Sequence, residues 1–210
     1  MTAPRLPSVF LLLVIALPAI AQSKPAPKTS ATVKNSPATF DPGSVDDDTY
    51  RNVLFGFACK IPYGWVLRTK EMNGDDERSK GSILLAVFER PPEVNEKSVN
   101  ATMLVAAEPM ANYPELKQAV DYFDPLTEVV KSKGFTVANE PYSFPVGGHQ
   151  LVRSDFSKQS ENINAYQSSL VMLSHGYVVS FTFIAASEDD ADGLVENLSF
   201  PPPKRAPAAK

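Results

Sequence analysis

Two stretches of the chain, "SILLAVF" (residues 82–88) and "SSLVMLS" (residues 168–174), are apolar on both of the faces a β-strand would present. Successive strand side chains point to opposite sides of a sheet, so Ile83, Leu85 and Val87 face one way and Leu84, Ala86 and Phe88 the other. A strand of this kind must be covered on both sides. An open-faced sheet or an up-and-down barrel would show cleaner alternation of apolar and polar residues. The expected fold class is therefore α+β, an antiparallel β-sheet flanked by helices in an α/β/α sandwich.

The rest of the sequence supplies strands and covers. "RNVLFGFACKI" (51–61) reads as a hairpin turning near Phe55-Gly56, and Pro62-Tyr63-Gly64 turns into a further strand, "GWVLRTK" (64–70). After the polar loop "EMNGDDERSKG" (71–81), "SILLAVFER" and "ATMLVAAEP" flank the Pro-rich loop "PPEVNEKSVN" (91–100). Four more apolar runs follow: "EPYSFPV" (140–146), "HQLVRSDFS" (149–157), "NAYQSSLVMLS" (164–174) and "YVVSFTFIA" (177–185). Gly147-Gly148, a polar loop and His175-Gly176 separate them, which predicts an antiparallel meander. Asn112-x-x-Glu115 fits a capping box for a helix carrying Leu116, Val120 and Phe123. Asp124-Pro125 would end that helix and cap another, which runs to Lys131, Lys133 and Gly134. A last helix is expected from Ser187, with Glu188, Asp189 and Asp190 opposing the positive end of its dipole. "NLSF" (197–200) then returns to the sheet.

Both ends of the chain differ from this body. Residues 1–21 carry a lone Arg5, an apolar run from Val9 to Leu17 and Ala19-Ile20-Ala21, the pattern of a cleaved signal peptide. The run is shorter than the roughly 20 residues a bilayer span needs, so no integral membrane domain is expected once the signal is removed. Residues 22–45, rich in Pro, Ala, Ser, Thr and Lys, read as a disordered tether, residues 46–200 as the sandwich domain, and 201–210 as a disordered tail. The protein is thus expected to be exported to a periplasmic or extracellular space. One cysteine, Cys59, cannot form an intramolecular disulfide, so the fold must stand on its core. Cys59 itself, within "LFGFACKI", reads as a buried small hydrophobe. Residues 46–200 hold 13 basic and 23 acidic residues, net −10, which excludes nucleic acid as a partner because phosphate contacts need clustered Lys and Arg.

The hairpin segment "TYRNVLFGFACKIPYGW" with its Lys-x-Pro-x-Gly-Trp tail, together with "HGYVVSFTFIAASEDDADGLVENLSF", resembles the PsbP-like sandwich proteins. That superfamily includes the extrinsic photosystem subunit, Ran-binding relatives and many bacterial exported proteins. The resemblance covers residues 49–200 and implies an α/β/α sandwich serving as a partner-binding or accessory module.

Few residues could carry chemistry. His149 and His175 are the only imidazoles, and neither G-x-S-x-G nor H-E-x-x-H occurs. The meander brings both histidines to one rim, with His175 expected three or four residues beyond His149. At roughly 3.4 Å per residue that is about 10 Å, too far for a shared zinc. Ser174 beside His175 would face the opposite side of a strand. "SEDDADG" lacks the remaining ligands of a calcium loop and reads as a helix start. Asn100-Ala101-Thr102 and Asn197-Leu198-Ser199 match the glycosylation pattern, relevant only in a glycosylating host. No catalytic, metal or cofactor residue is assigned. The sequence thus points to an exported non-catalytic binding or accessory module with a protein partner. A small-ligand carrier with a cleft between helix layer and sheet, or a small hydrolase whose site forms only in three dimensions, is the alternative.

Overall fold

The computed structural model describes residues 40–73, 83–94, 98–160 and 163–202. The expected signal, most of the tether and the tail beyond residue 202 lie outside them. All strand pairings are antiparallel. A large sheet takes the order β4(Val66–Leu67), β5(Ile83–Phe88), β6(Thr102–Pro109), β10(Tyr177–Ala185), β9(Ile163–Ser174), β8(His149–Ser160), β7(Thr136–Val146). A small sheet takes the order β1(Ser44–Asp46), β2(Thr49–Asn52), β3(Phe57–Lys60), β11(Leu198–Ser199). The meander β7 to β10 forms as its glycine turns predict.

The large sheet is covered on both faces, and the α+β class follows. On one face Leu85, Val105, Leu170, Val179 and Phe181 meet the small sheet and helix α3(Glu188–Val195) in the first core. Phe57 of β3 stands edge-on to Phe181 of β10 at 4.9 Å, both rings shielded from water. Burying rings of this size is worth about 1.5–3 kcal/mol each. On the other face a short 3-10 turn, Ala119–Tyr122, runs directly into α2(Phe123–Ser132), and Tyr122, Phe123, Leu126 and Val130 close a second core over Phe156, Val171 and Val178. The first hairpin and the last strand therefore form a layer of their own, beside α3, where the sequence suggested helices and loops alone.

Local differences from the sequence reading have local causes. The capping box forms at Gln118 and Asp121, not at Asn112 and Glu115. Tyr113 precedes Pro114, whose ring disfavours helical backbone in the residue before it, and Tyr113 takes φ −129°, ψ 73°. In β5 a bulge between Ile83 and Leu85 breaks strict alternation, so Leu84 joins Leu85 and Val87 in the first core. The strand expected over 64–70 stops after Leu67, because helix α1(Thr69–Asn73) takes over and finishes the free edge of β5 with side chains. Thr69 Oγ1 accepts from the Ala86 N–H at 2.9 Å, and the Asn73 amide bonds both the N–H (3.2 Å) and the C=O (2.8 Å) of Ile83. The opposite edge, β7, carries Pro141, Pro145 and two register shifts, devices that discourage a further strand from adding.

The body also begins earlier than the boundary at residue 46. Phe40 packs against Tyr177 at 5.8 Å, and the Asp41 carboxylate accepts from the N–H groups of Gly43, Val53 and Leu54. Tyr50 donates to the Pro42 carbonyl at 2.9 Å. Gly43 is required there: its φ is +72°, and a Cβ would lie 2.3 Å from the Tyr50 hydroxyl. Asp47 and Asp48, both at positive φ, form the two-residue turn between β1 and β2. These polar contacts reach across 8 to 13 residues, so composition alone assigns the segment to a tether.

Cys59 is fully buried in β3, and burial pushes its thiol up to about 12. A thiol reagent at pH 8 is expected to label the native chain no faster than the chain unfolds, while denaturant exposes one equivalent at once. Rapid native labelling would contradict the burial.

Candidate functional site

Strands β8 and β10 begin, and β9 ends, at one end of the large sheet, so the Gly147-Gly148 and His175-Gly176 turns share a rim. The last ladder pair there is Val152 with Val171. His149 is three residues beyond it and His175 four, so the register offset is one position, not three or four. The two rings nevertheless engage different partners: His149 stacks on Phe200 at 4.2 Å, and His175 meets Phe55 edge-on at 6.4 Å. Ser174 and His175 do not face opposite ways. His175 sits in the turn at φ +52°, and its Nδ1 is 2.8 Å from Ser174 Oγ. Neither imidazole bonds a carboxylate among the described residues, and no group of three His, Cys, Asp or Glu side chains there is spaced to hold a metal.

A more densely bonded polar cluster lies on the first-core face of β7, β8 and β9. Arg153 and Asp155 are buried, and Arg153 Nε donates to Asp155 Oδ1 at 2.7 Å. Ser168 donates to the same oxygen at 2.7 Å, while Asn139 and Tyr142 donate to Oδ2 at 3.2 Å each. Asp155 is thereby saturated with four donors. Arg153 reaches on to Ser168 and to Asp192 of α3, and its guanidinium lies 4.9 Å over the Phe144 ring. Burial disfavours the Arg153 charge, but the bonds to Asp192 and Asp155 outweigh it and hold its pKa above the ordinary value. The sequence signal for this cluster was present: in "LVRSDFS", Arg153 and Asp155 share strand parity with Leu151, so two charges occupy core positions.

On the opposite face, Glu108 of β6 accepts from Tyr113 at 2.7 Å and from Tyr122 at 2.5 Å, and the two rings meet edge-on at 5.2 Å. Burial, reinforced by the Glu108 carboxylate, pushes both phenols well above the ordinary tyrosine range. The pair fastens the segment 110–122 to the sheet. Both sequons are similarly occupied: the Asn100 side chain bonds the N–H and C=O of Arg90, and Asn197 bonds the carbonyls of Gly193 and Leu194.

The described residues form a groove and a cleft on the surface. A groove of about 530 Å³ between α2 and β7 is rimmed by charges of both signs, Asp124, Glu128, Lys131 and Glu140. A cleft of about 310 Å³ lies between the start of α3 and the sheet, walled by Trp65, Val99, Ala101, Ala185 and Leu194, with Glu89 and Asp190 in its lining. Its position follows from the topology. Ala185 ends β10, whereas Phe40 and Phe200, the ends of the folded body, pack at the rim where β10 and β8 begin. The nine residues of β10 separate the two ends by about 27 Å at ~3.4 Å per step.

No protein-family model and no curated protein sequence matches the chain. Among solved structures it is similar to cyanobacterial PsbP (CyanoP) from Synechocystis sp. PCC 6803, at 13% identity over 73% of this chain and 91% of that one, TM-score 0.48. It is also similar to LpqN, involved in cell envelope biogenesis of Mycobacterium tuberculosis, at 14% identity over 77% and 87% of the two chains, TM-score 0.37. The α+β class rests on the antiparallel strand pairing and the helices themselves. No described helix is long and apolar enough to cross a membrane.

Replacing Arg153 by Met should cost about 3–5 kcal/mol in denaturant unfolding, because Asp155 is left buried without its cation. Asp192→Asn, at a half-exposed carboxylate, should cost about 1 kcal/mol or less. Equal costs would contradict the saturation of Asp155. The raised phenols make a second prediction. Tyr113 and Tyr122 bind their protons more tightly folded than unfolded, so their contribution is intact below pH 10 and is lost as pH rises above it. Stability is expected to fall between pH 10 and 12, and Tyr122→Phe should flatten that fall.

Proposed function

We propose that the protein is an exported, non-catalytic binding module, held by its chain ends at the histidine rim and presenting its opposite end to a partner. The observation that carries this reading is the separation just described: both ends of the body pack at one end of the sheet, and the Trp65 cleft opens at the other. Export rests on the signal-like segment 1–21, and the Lys-containing stretch 22–39 would serve as the spacer. The carboxylates at the centre of the two polar clusters, Asp155 and Glu108, are held by fixed donors, as suits a frame. A small-ligand carrier is the second reading, favoured by a cleft between helix layer and sheet whose volume is at the lower end of ligand sites, about 300–1,000 Å³.

A photoreactive amino acid placed at Tyr63, 97% exposed and two residues from Trp65, should give a discrete crosslinked adduct in the native compartment. The same group at Val53, 87% exposed in the turn whose Phe55 packs at the rim, should not. Adducts from Val53 alone, or turnover of an ester, phosphate or peptide substrate abolished by one substitution, would overturn the reading.

A further inference from the structure

We propose that the Trp65 cleft takes an organic cation, the guanidinium or ammonium end of an arginine-like or lysine-like group. This rests on the binding-module reading and names its ligand chemistry. The cleft combines an indole wall, an apolar floor and acidic residues. Trp65 is half-buried, packed on the first core while lining the cleft, and Val99, Ala101, Ala185 and Leu194 complete a surface suited to methylene groups. Glu89 and Asp190 lie in the lining, and Glu188 and Asp189 add charge in the same turn of α3. The α3 dipole supplies only roughly +0.5 charge there, so the carboxylates set the sign of the field.

Of the two lining carboxylates Glu89 is already paired, with Arg90, so Asp190 is the one that would meet the incoming cation. Arg90 lies 3.0 Å from Glu89 and is also engaged by Ser98 and the Val99 carbonyl, which fixes it within its own loop. Asp190 Oδ2 takes the Ser187 hydroxyl at 2.6 Å, and its other oxygen bonds nothing among the described residues. A cation over the indole face with its tip toward Asp190 would join ring-quadrupole attraction to a charge-assisted hydrogen bond. The volume, at the lower end of ligand sites, accommodates a single side-chain-sized group.

Trp65 is the only tryptophan in the chain and reports on the cleft directly. The full chain should show a saturable change in Trp fluorescence with agmatine, with an Arg-containing pentapeptide, or with both, and none with the same peptide carrying citrulline. A response to free agmatine identifies a small amine as a sufficient source; a response to the peptide alone identifies a partner's side chain. Asp190→Asn and Glu89→Gln, each checked for unchanged thermal unfolding, should weaken binding about tenfold, and added salt should weaken it further. An equal response to citrulline, or none to either cation up to millimolar concentration, would overturn the proposal. If crosslinking from Tyr63 still yields its adduct in that case, the cation assignment falls and the binding-module reading stands; if both fail, both fall.

Discussion

The contact of Phe57 with Phe181 joins the small sheet to the large one, and most of the architecture depends on it. The central strands are apolar on both faces, so the large sheet cannot exist as a single solvated layer. One cover, the second core of α2 and its preceding turn, is built by a contiguous segment. The other is assembled from the two ends of the body, since β3 pairs with β11 by matching Cys59 to Leu198 across about two-thirds of the chain. Closure of this long loop costs entropy that grows only slowly with length, and buried rings from both sheets offset it. Without disulfides, aromatic burial carries the closure, which explains why the sole cysteine is spent as a core residue.

The charged cluster on β8 has a different role from the apolar contacts around it. A buried ion pair contributes little net stability compared with apolar residues of the same volume, because desolvation offsets the attraction. Its effect is directional. Asp155 accepts from β7, β8 and β9 at once, and Arg153 extends the chain of bonds to α3. Slipping any of these strands by one residue would leave a buried charge without partners, so the cluster penalises wrong register more strongly than it rewards the right one. This is a fitting device next to β7, whose pairing with β8 already shifts register twice.

Much of the frame was legible in the sequence because turn chemistry is local. Gly147-Gly148 and His175-Gly176 announce the meander, and Ser187 caps α3 as expected, accepting from the Asp190 N–H at 3.1 Å. Other parts were hidden because their determinants are distant. The strand β1 forms only because Asp41 and Tyr50 fix a polar segment that looks like linker. The 110–122 segment avoids the helix its capping pattern suggests because Pro114 bars it at Tyr113 and Glu108, on another element, binds that tyrosine. The cleft was harder still. Trp65, Glu89 and Asp190 come from three separate segments, and each alone reads as a packing residue, a loop charge or a helix-start acid.

The distinction between frame and site comes down to how many partners a polar group has left. Asp155 has four donors spread over both oxygens, so it can bind nothing new without breaking what it holds, and Glu108 takes two phenols on its Oε2, which ties it to the segment 110–122. Histidines at the rim are occupied in a milder way, by a ring stack in one case and by the adjacent hydroxyl in the other. At the cleft the balance differs: Asp190 keeps an oxygen, the surrounding turn of α3 adds like charge, and the indole offers a face that needs no hydrogen bond. The acidic first turn of α3, Glu188 to Asp190, concentrates its field over the low-dielectric wall. A cation entering there gives up part of its hydration but gains the Asp190 carboxylate and the indole face. The fold thus spends its strongest polar interactions on register and leaves Asp190, with one oxygen unbonded among the described residues, at the end farthest from where Phe40 and Phe200 pack.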